Sequence, residues 1–112
     1  MSVGGPVTPT EKLQAALRDR RWSEKDLAWV LDLPVEMAEG LVRGPRITPT
    51  VTLRLEAALE IPAVDWYAAA GIPMPNLWPV QDQMAGELDA IRRRRYRLGQ
   101  DRRHEAARAP RR

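Results

Sequence analysis

Residues 23–43, SEKDLAWVLDLPVEMAEGLVR, carry the clearest structural pattern in the chain. Ser23 is a preferred helix N-cap residue, and Asp26 places a carboxylate in the first turn that follows. Three apolar residues then recur with the spacing of one helical face, namely Leu27, Val30 and Leu31. Pro34 suits the start of a second helix, where a backbone N–H has no partner to lose. We therefore predict two short helices joined by a tight turn, a unit in which DNA-binding proteins use the second helix as the reader.

The second helix of this pair is predicted to turn Met37, Ala38 and Leu41 inward. Ala28 and Ala38 are small at the places where the two helices must approach closely. Trp29 points partly away from the apolar stripe of the first helix. It is either an anchor for a partner protein or a Trp partly covered by the C-terminal segment.

Further helices are predicted on both sides of this pair. Thr8 and Pro9 form a start signal for a helix that runs to about residue 20, and Thr48 and Pro49 repeat the signal for a later one. Gly44 suits a left-handed cap that would end the preceding helix. A short fifth helix is expected to end near a buried Trp66.

The stretch 8–66 resembles the XRE-type helix-turn-helix domain of HigA-like antitoxins and plasmid-maintenance antidote proteins. The pieces that carry the likeness are TPTEKLQAAL at 8–17, RRWSEKDLA at 20–28 and ITPTVTLRLEAALEIPAVDW at 47–66. The resemblance implies a compact all-α, repressor-like domain of about five helices. It also implies a dimer that binds double-stranded operator DNA and, in many members, a partner toxin.

The resemblance places DNA contacts on the second helix of the motif and its flanks. The implied positions are Ser23, Lys25, Val35, Glu36, Glu39, Arg43, Arg46 and Thr48. The family usually offers Gln, Asn, Thr, Ser or Arg to base edges, whereas this chain offers Val35, Glu36 and Glu39. Carboxylates are repelled by phosphate, although they can accept a hydrogen bond from cytosine N4.

Composition shifts after residue 70, and the chain divides accordingly. The predicted segments are a flexible arm at 1–7, the helix-turn-helix domain at 8–70, a Pro-rich linker at 71–79, a C-terminal helix at 80–98 and a disordered basic tail at 99–112. The C-terminal helix is amphipathic and is expected to stop at Gly99. Its apolar stripe consists of Leu77, Val80, Met84, Leu88, Ile91 and Leu98.

This C-terminal region supplies two further predicted surfaces. The residues expected at a partner interface are Trp29, Trp78, Met84, Leu88 and Ile91. The basic residues Arg92, Arg93, Arg94 and Arg95 ring the helix and are expected to face solvent, nucleic acid or an acidic partner.

Charge and composition limit the classes of function. The net charge is +3, with a mildly acidic domain at 8–70 and a basic remainder. The absence of Cys excludes disulfides and thiolate metal ligands. No apolar run approaches the ~20 residues of a membrane span, and the N-terminus does not resemble a secretory signal, so we expect a cytoplasmic protein. The single His104 lacks a nucleophile or metal-ligand neighbour, and we expect no enzyme, no cofactor and no metal.

Two functional hypotheses remain. In the first, the chain is a DNA-binding transcriptional regulator, a homodimeric HigA-like antitoxin that represses its own operon. In the second, the same fold is a protein-interaction module, for example a phage or mobile-element assembly component. It does not read DNA sequence, and its Arg-rich tail contacts nucleic acid or an acidic partner.

Overall fold

The structure is a computed structural model that describes residues 7–108, with side chains described as far as Arg102. Within this range the chain forms seven α-helices and no β-strand, which confirms the predicted all-α class. The helices are α1 Pro9–Arg20, α2 Glu24–Leu31, α3 Val35–Arg43, α4 Pro49–Leu59, α5 Ala63–Ala70, α6 Trp78–Gln83 and α7 Ala85–Arg108. The predicted arm (except Val7), the end of the predicted tail at 109–112 and the side chain of His104 lie outside the described residues.

The prediction was a five-helix domain followed by one C-terminal helix. The structure has one helix more, because the segment after Gly71 forms two helices, α6 and α7. The predicted linker ends two residues early, since Trp78 and Pro79 already belong to α6. Gly99 does not stop the last helix, which continues to Arg108, so residues 99–108 are helical. One Gly costs a helix only about 1 kcal/mol, and the good helix formers around it keep the helix intact.

The helix starts follow the predicted local signals. Thr8 Oγ1 accepts from the Glu11 amide at 3.1 Å, and the Glu11 carboxylate accepts from the Thr8 amide at 3.0 Å. Ser23 and Asp26 make the same reciprocal pair at 3.1 and 2.8 Å. Thr48 Oγ1 accepts from the amide three residues on at 3.2 Å. Each bond satisfies an amide that the first helical turn leaves unpaired.

The helix ends are less regular. Arg21, Asp32 and Glu60 each adopt a left-handed backbone with φ 59°, a conformation that Gly71 adopts more easily at φ 73°. Gly44 has φ −176°, which is extended backbone, so the predicted left-handed cap at this residue is wrong. The corner at Asp32 turns the chain from α2 into α3.

The helices share one apolar core, in which Trp66 is fully buried as predicted. Trp22 is only half-buried against this core. On α3 the fully inward residues are Ala38 and Val42, while Met37 is 56% exposed, so the predicted inward position of Met37 is wrong. The buried stripe is rotated around the helix by about one residue relative to the prediction.

α7 lies across α2 and α4 and completes the core. Of the predicted stripe, Leu77, Leu88 and Ile91 are buried, and the other members, Val80, Met84 and Leu98, are partly buried against the same core. The stripe is therefore covered by this chain itself. None of the helices in the described range combines the length and apolar content needed to cross a lipid bilayer.

Candidate nucleic-acid and partner surfaces

α2 and α3 are joined by only three residues, 32–34. The Leu33 amide donates to Ala28 O at 2.9 Å, which closes the end of α2. Ala28 and Ala38 are both buried, as expected of small residues where two helices approach closely. This packing leaves the opposite side of α3 facing solvent.

The residues predicted to contact DNA lie on α3, at the start of α2 and in the segment between α3 and α4. The exposed ones are Ser23, Lys25, Glu36, Arg43, Arg46 and Thr48. Val35 and Glu39 are half-buried, and Val35 packs against the core. The hydroxyls of Ser23 and Thr48 are already bonded to backbone amides as N-caps, so their first role is structural.

Charges on this side of α3 are mixed. Glu36 and Arg43 are seven residues apart, two turns along one stripe of the helix. Among the residues that the structure describes, Lys25, Arg43 and Arg46 form no ion pair within the chain. Their charges remain available to an external anion, while Glu36 and Glu39 oppose its approach.

The four consecutive arginines of α7 divide into two pairs. Arg92 and Arg93 are exposed, whereas Arg94 and Arg95 are turned toward the body of the protein. Arg94 Nε donates to Val30 O at 2.8 Å, and Arg95 Nη1 donates to Ala57 O at 2.7 Å. The prediction that all four face solvent, nucleic acid or an acidic partner is therefore wrong for the last two.

These two arginines satisfy carbonyls in the last turns of α2 and α4. Such carbonyls lack helical partners, and a cation there also interacts favourably with the helix dipole. Arg20 binds the same region of α4, with Nη2 2.7 Å from Leu59 O and 3.0 Å from Glu60 Oε1. The Arg20 hydrogen bond and the nearby charge of Arg95 lower the pKa of Glu60.

Sequence reasoning missed the contacts of Glu87 and Arg94, although a signal was present. Both stand where a coiled-coil seam would carry apolar residues. Glu87 instead forms an ion pair with Arg54 of α4 at 2.6 Å, and Arg94 reaches α2. The polar residues Glu87 and Arg94 at these positions were the sequence signal that α7 makes polar contacts with α2 and α4.

The predicted partner interface is only partly exposed. Trp78 is 69% exposed and Trp29 44%, whereas Met84 is half-buried. Leu88 and Ile91 are enclosed by the chain's own core, so assigning them to a partner surface is wrong. Their burial follows from α7 docking on α2 and α4.

Trp78 belongs to a shallow apolar groove between α4, α5 and α6. Val64, Met74 and Trp78 are exposed large apolar residues on its wall, and Glu56 stands on its edge. Other lining residues are Leu53, Pro62, Ala63, Leu77 and Gln81. We call these nine residues the α5–α6 groove.

A second, smaller apolar depression adjoins α3. It is lined by Leu31, Leu33, Met37, Leu41, Val51, Arg54 and Leu55. Its apolar walls carry no nucleophile, and no group of three or more potential metal ligands occurs among the described residues. That the protein is not an enzyme stays a prediction.

Comparison of the chain with protein-family models, with curated proteins and with solved structures finds no match in any of the three.

Proposed function

We propose that the chain is a DNA-binding transcriptional regulator in which α2 and α3 act as a helix-turn-helix, as in the HigA-like antitoxins that its sequence resembles. The observation that carries the proposal is the exposed side of α3, with Arg43 at its last turn and Arg46 just after it, whose charges form no ion pair among the described side chains. Arginine and lysine side chains are the groups that bind duplex phosphates and fix a reading helix on the groove.

The distribution of the other cations supports this proposal. Arg20, Arg54, Arg94, Arg95 and Arg102 all bind carboxylates or carbonyls of the chain. Arg43 and Arg46 are not used in this way, and neither are Arg18, Arg21, Arg93 and Arg97 among the described side chains. The operator and the partner toxin follow from the resemblance alone and are part of the proposal, as is the homodimer.

Glu36 and Glu39 set the expected base preference. Each carboxylate can accept from cytosine N4, so a cytosine-containing half-site is the expected sequence if α3 enters the major groove. Replacing both with Gln removes phosphate repulsion and favours adenine, since Gln binds adenine N6 and N7.

In vitro selection of random duplexes by the full chain tests the proposal. We expect one enriched motif, and we expect Arg43→Gln combined with Arg46→Gln to weaken binding to it by tenfold or more. Lys12→Gln is the matched control, because Lys12 belongs to α1 and lies near the Trp66 ring of α5. No enriched motif, or equal loss in the control, would overturn the proposal.

A second candidate is the protein-interaction module, and the α5–α6 groove favours it. Exposed apolar residues gathered in one groove are typical of docking sites, and an exposed Trp is a common energetic anchor. Trp78 is held by the Pro-rich chain before it, where its amide donates to Asn76 Oδ1 at 3.2 Å. A backbone that is already fixed reduces the main-chain part of the entropy lost on binding.

The charge around the groove identifies the chemistry of its partner. Residues 55–91 contain six carboxylates and no Lys or Arg. Three of them, Glu56, Asp65 and Asp82, form no ion pair among the described side chains. We commit to a protein segment that carries Lys or Arg beside an apolar side chain. In the antitoxin hypothesis this segment belongs to the toxin.

Selection of displayed peptides on the full chain tests this candidate. We expect enriched peptides with an aromatic or aliphatic residue next to at least two cations. Their binding should fall tenfold or more with Trp78→Ala, but not with Trp29→Ala, the matched control on α2. Enrichment of acidic peptides, or unchanged binding to the Trp78 variant, would exclude this partner. Loss of a self-associated state in Trp78→Ala would point instead to a second copy of the chain.

A further inference from the structure

The side of α7 that faces away from the core is basic. Arg92, Arg93 and Arg97 are exposed on it, and Tyr96 between them is 63% exposed. Gln100 adds a donor, with Nε2 2.7 Å from the Tyr96 hydroxyl. We call these five residues the α7 outer face, which extends over about 12 Å of helix.

The fold holds this face in one orientation. On the opposite side of α7, Ile91 is fully buried, and Arg94 and Arg95 donate to carbonyls of α2 and α4. Near the end of the described side chains, Arg102 Nη1 donates to Arg21 O at 3.0 Å. Inward arginines therefore fix the helix, and the outward ones do not take part in that docking.

The positive charge on the α7 outer face is only partly neutralised. Arg92 forms an ion pair with Asp89 at 3.0 Å. Arg93 and Arg97 form none among the described side chains, and they lie one turn apart, where like charges destabilise a helix. Residues 92–112 hold ten Arg against two carboxylates, so the surrounding sequence reinforces the positive potential.

We infer that the α7 outer face binds the phosphodiester backbone of nucleic acid without reading its base sequence. Two observations favour this ligand over an acidic protein. Three guanidinium groups over one short stretch match the dense, regular charge of a phosphate backbone, and each can bind phosphate oxygens through two parallel hydrogen bonds. Tyr96 is also the one large apolar residue exposed among the described side chains of this face, so the face lacks the continuous apolar centre of a protein interface.

This binding site is separate from the α3 side and does not depend on α3 reading DNA. Arg92 and Arg97 come from a helix that contacts α2, α4 and α6, whereas the α3 side carries Arg43 and Arg46. Sequence-selective binding tests the α3 side, and salt-dependent binding without selectivity tests the α7 outer face, so either can fail alone.

Duplex and single-stranded nucleic acid share the backbone chemistry, and Tyr96 distinguishes them. An exposed aromatic ring can stack on an unpaired base, which a paired duplex does not offer. If the natural ligand is single-stranded, Tyr96→Ala weakens binding to oligo-dT. If it is duplex, the same variant leaves duplex binding unchanged.

The test uses the full chain, a 30-base-pair duplex of arbitrary sequence and oligo-dT, with affinity measured by fluorescence anisotropy over a range of salt concentrations. One variant combines Arg92→Gln, Arg93→Gln and Arg97→Gln, and its matched control carries Lys at the same three positions. For duplex we expect the Gln variant to reduce the slope of log K against log salt by about 2 to 3, since each phosphate contact contributes about 0.9. The Lys control should keep most of the slope.

Unfolding curves accompany each variant. The three side chains are exposed, so all variants should fold, and Arg97→Gln alone, expected to reduce the slope by about 1, provides a milder second test. An unchanged slope in the Gln variants overturns the inference. Tighter binding to polyglutamate than to either nucleic acid also overturns it and assigns the face to an acidic protein.

Discussion

Arg102 Nη2 lies 2.5 Å from Asp26 Oδ2, which joins α7 to the first turn of α2. The same carboxylate accepts from the Ser23 amide at 2.8 Å, so it both starts α2 and holds α7 against it. Burial raises the pKa of Asp26, but the Ser23 amide and Arg102 together outweigh burial and lower that pKa below its ordinary value. The ionised form is therefore the one that the fold stabilises.

Asp26→Asn should lower the free energy of unfolding at pH 7 by about 0.5 to 1 kcal/mol, because the Asn side chain can still accept from the Ser23 amide but cannot pair with the charge of Arg102. A carboxylate whose folded pKa is lowered contributes its stability above the unfolded pKa of about 4. That contribution disappears as the pH falls through the lower folded value. The difference between wild type and variant should therefore shrink below about pH 4.

Urea unfolding at pH 7 and at successive values below pH 4 measures this difference. Asp82→Asn is the matched control, because Asp82 is exposed and forms no ion pair among the described side chains. A difference that stays constant across the pH range would mean that the Asp26 charge contributes nothing.

Ile91→Ala should lower the free energy of unfolding by about 2 to 5 kcal/mol, the usual cost of emptying a buried aliphatic site. Ile91 is fully buried where α7 meets the core. Tyr96→Ala, on the outer side of the same helix, should change the free energy of unfolding by less than about 0.5 kcal/mol. Denaturant unfolding monitored by circular dichroism compares the two. Equal, small effects would show that α7 is not part of the cooperative fold.

The start signals of the helices could be predicted from sequence because each involves residues within four positions of one another. Thr8 with Glu11 and Ser23 with Asp26 needed no knowledge of the tertiary fold. The apolar stripe of the C-terminal helix was also predictable, as periodicity depends only on helix geometry. What covers the stripe was not predictable, because that is decided by the docking of α7.

The contacts of the arginines lay beyond sequence reasoning for the same reason. Arg94 reaches a carbonyl 64 positions away, and Arg102 pairs with a carboxylate 76 positions away. In sequence these side chains are indistinguishable from Arg93, which faces solvent. Only the angular position of each residue on a docked helix separates those that hold α7 from those that form its outer face.

Tyr67→Phe should leave the free energy of unfolding unchanged or raise it. The increase is at most the cost of burying a polar atom without a partner, which is about 1 to 3 kcal/mol. The Tyr67 hydroxyl is buried and has no hydrogen-bond partner among the described residues. Phe keeps the ring and removes that hydroxyl. Thermal unfolding of the two proteins measures the change. A loss above about 1 kcal/mol would mean that the hydroxyl is hydrogen-bonded in solution.

Gly40 offers a test of α3 that separates stability from binding. It is exposed in the middle of α3, and nothing lies within 4 Å of where a Cβ would stand. Gly40→Ala should therefore raise the free energy of unfolding by about 0.5 to 1 kcal/mol, because Ala loses less backbone freedom on folding.

Gly40→Leu should also fold, but it would hold α3 away from a DNA groove, since the bulky side chain stands between Glu36 and Arg43 on the stripe. We expect the affinity for the selected duplex to fall by tenfold or more while stability is kept. Gly86→Leu at the exposed start of α7, where a Cβ also meets nothing, is the matched control and should bind DNA as the wild type does. If Gly40→Leu binds as tightly as its control, α3 does not enter the groove.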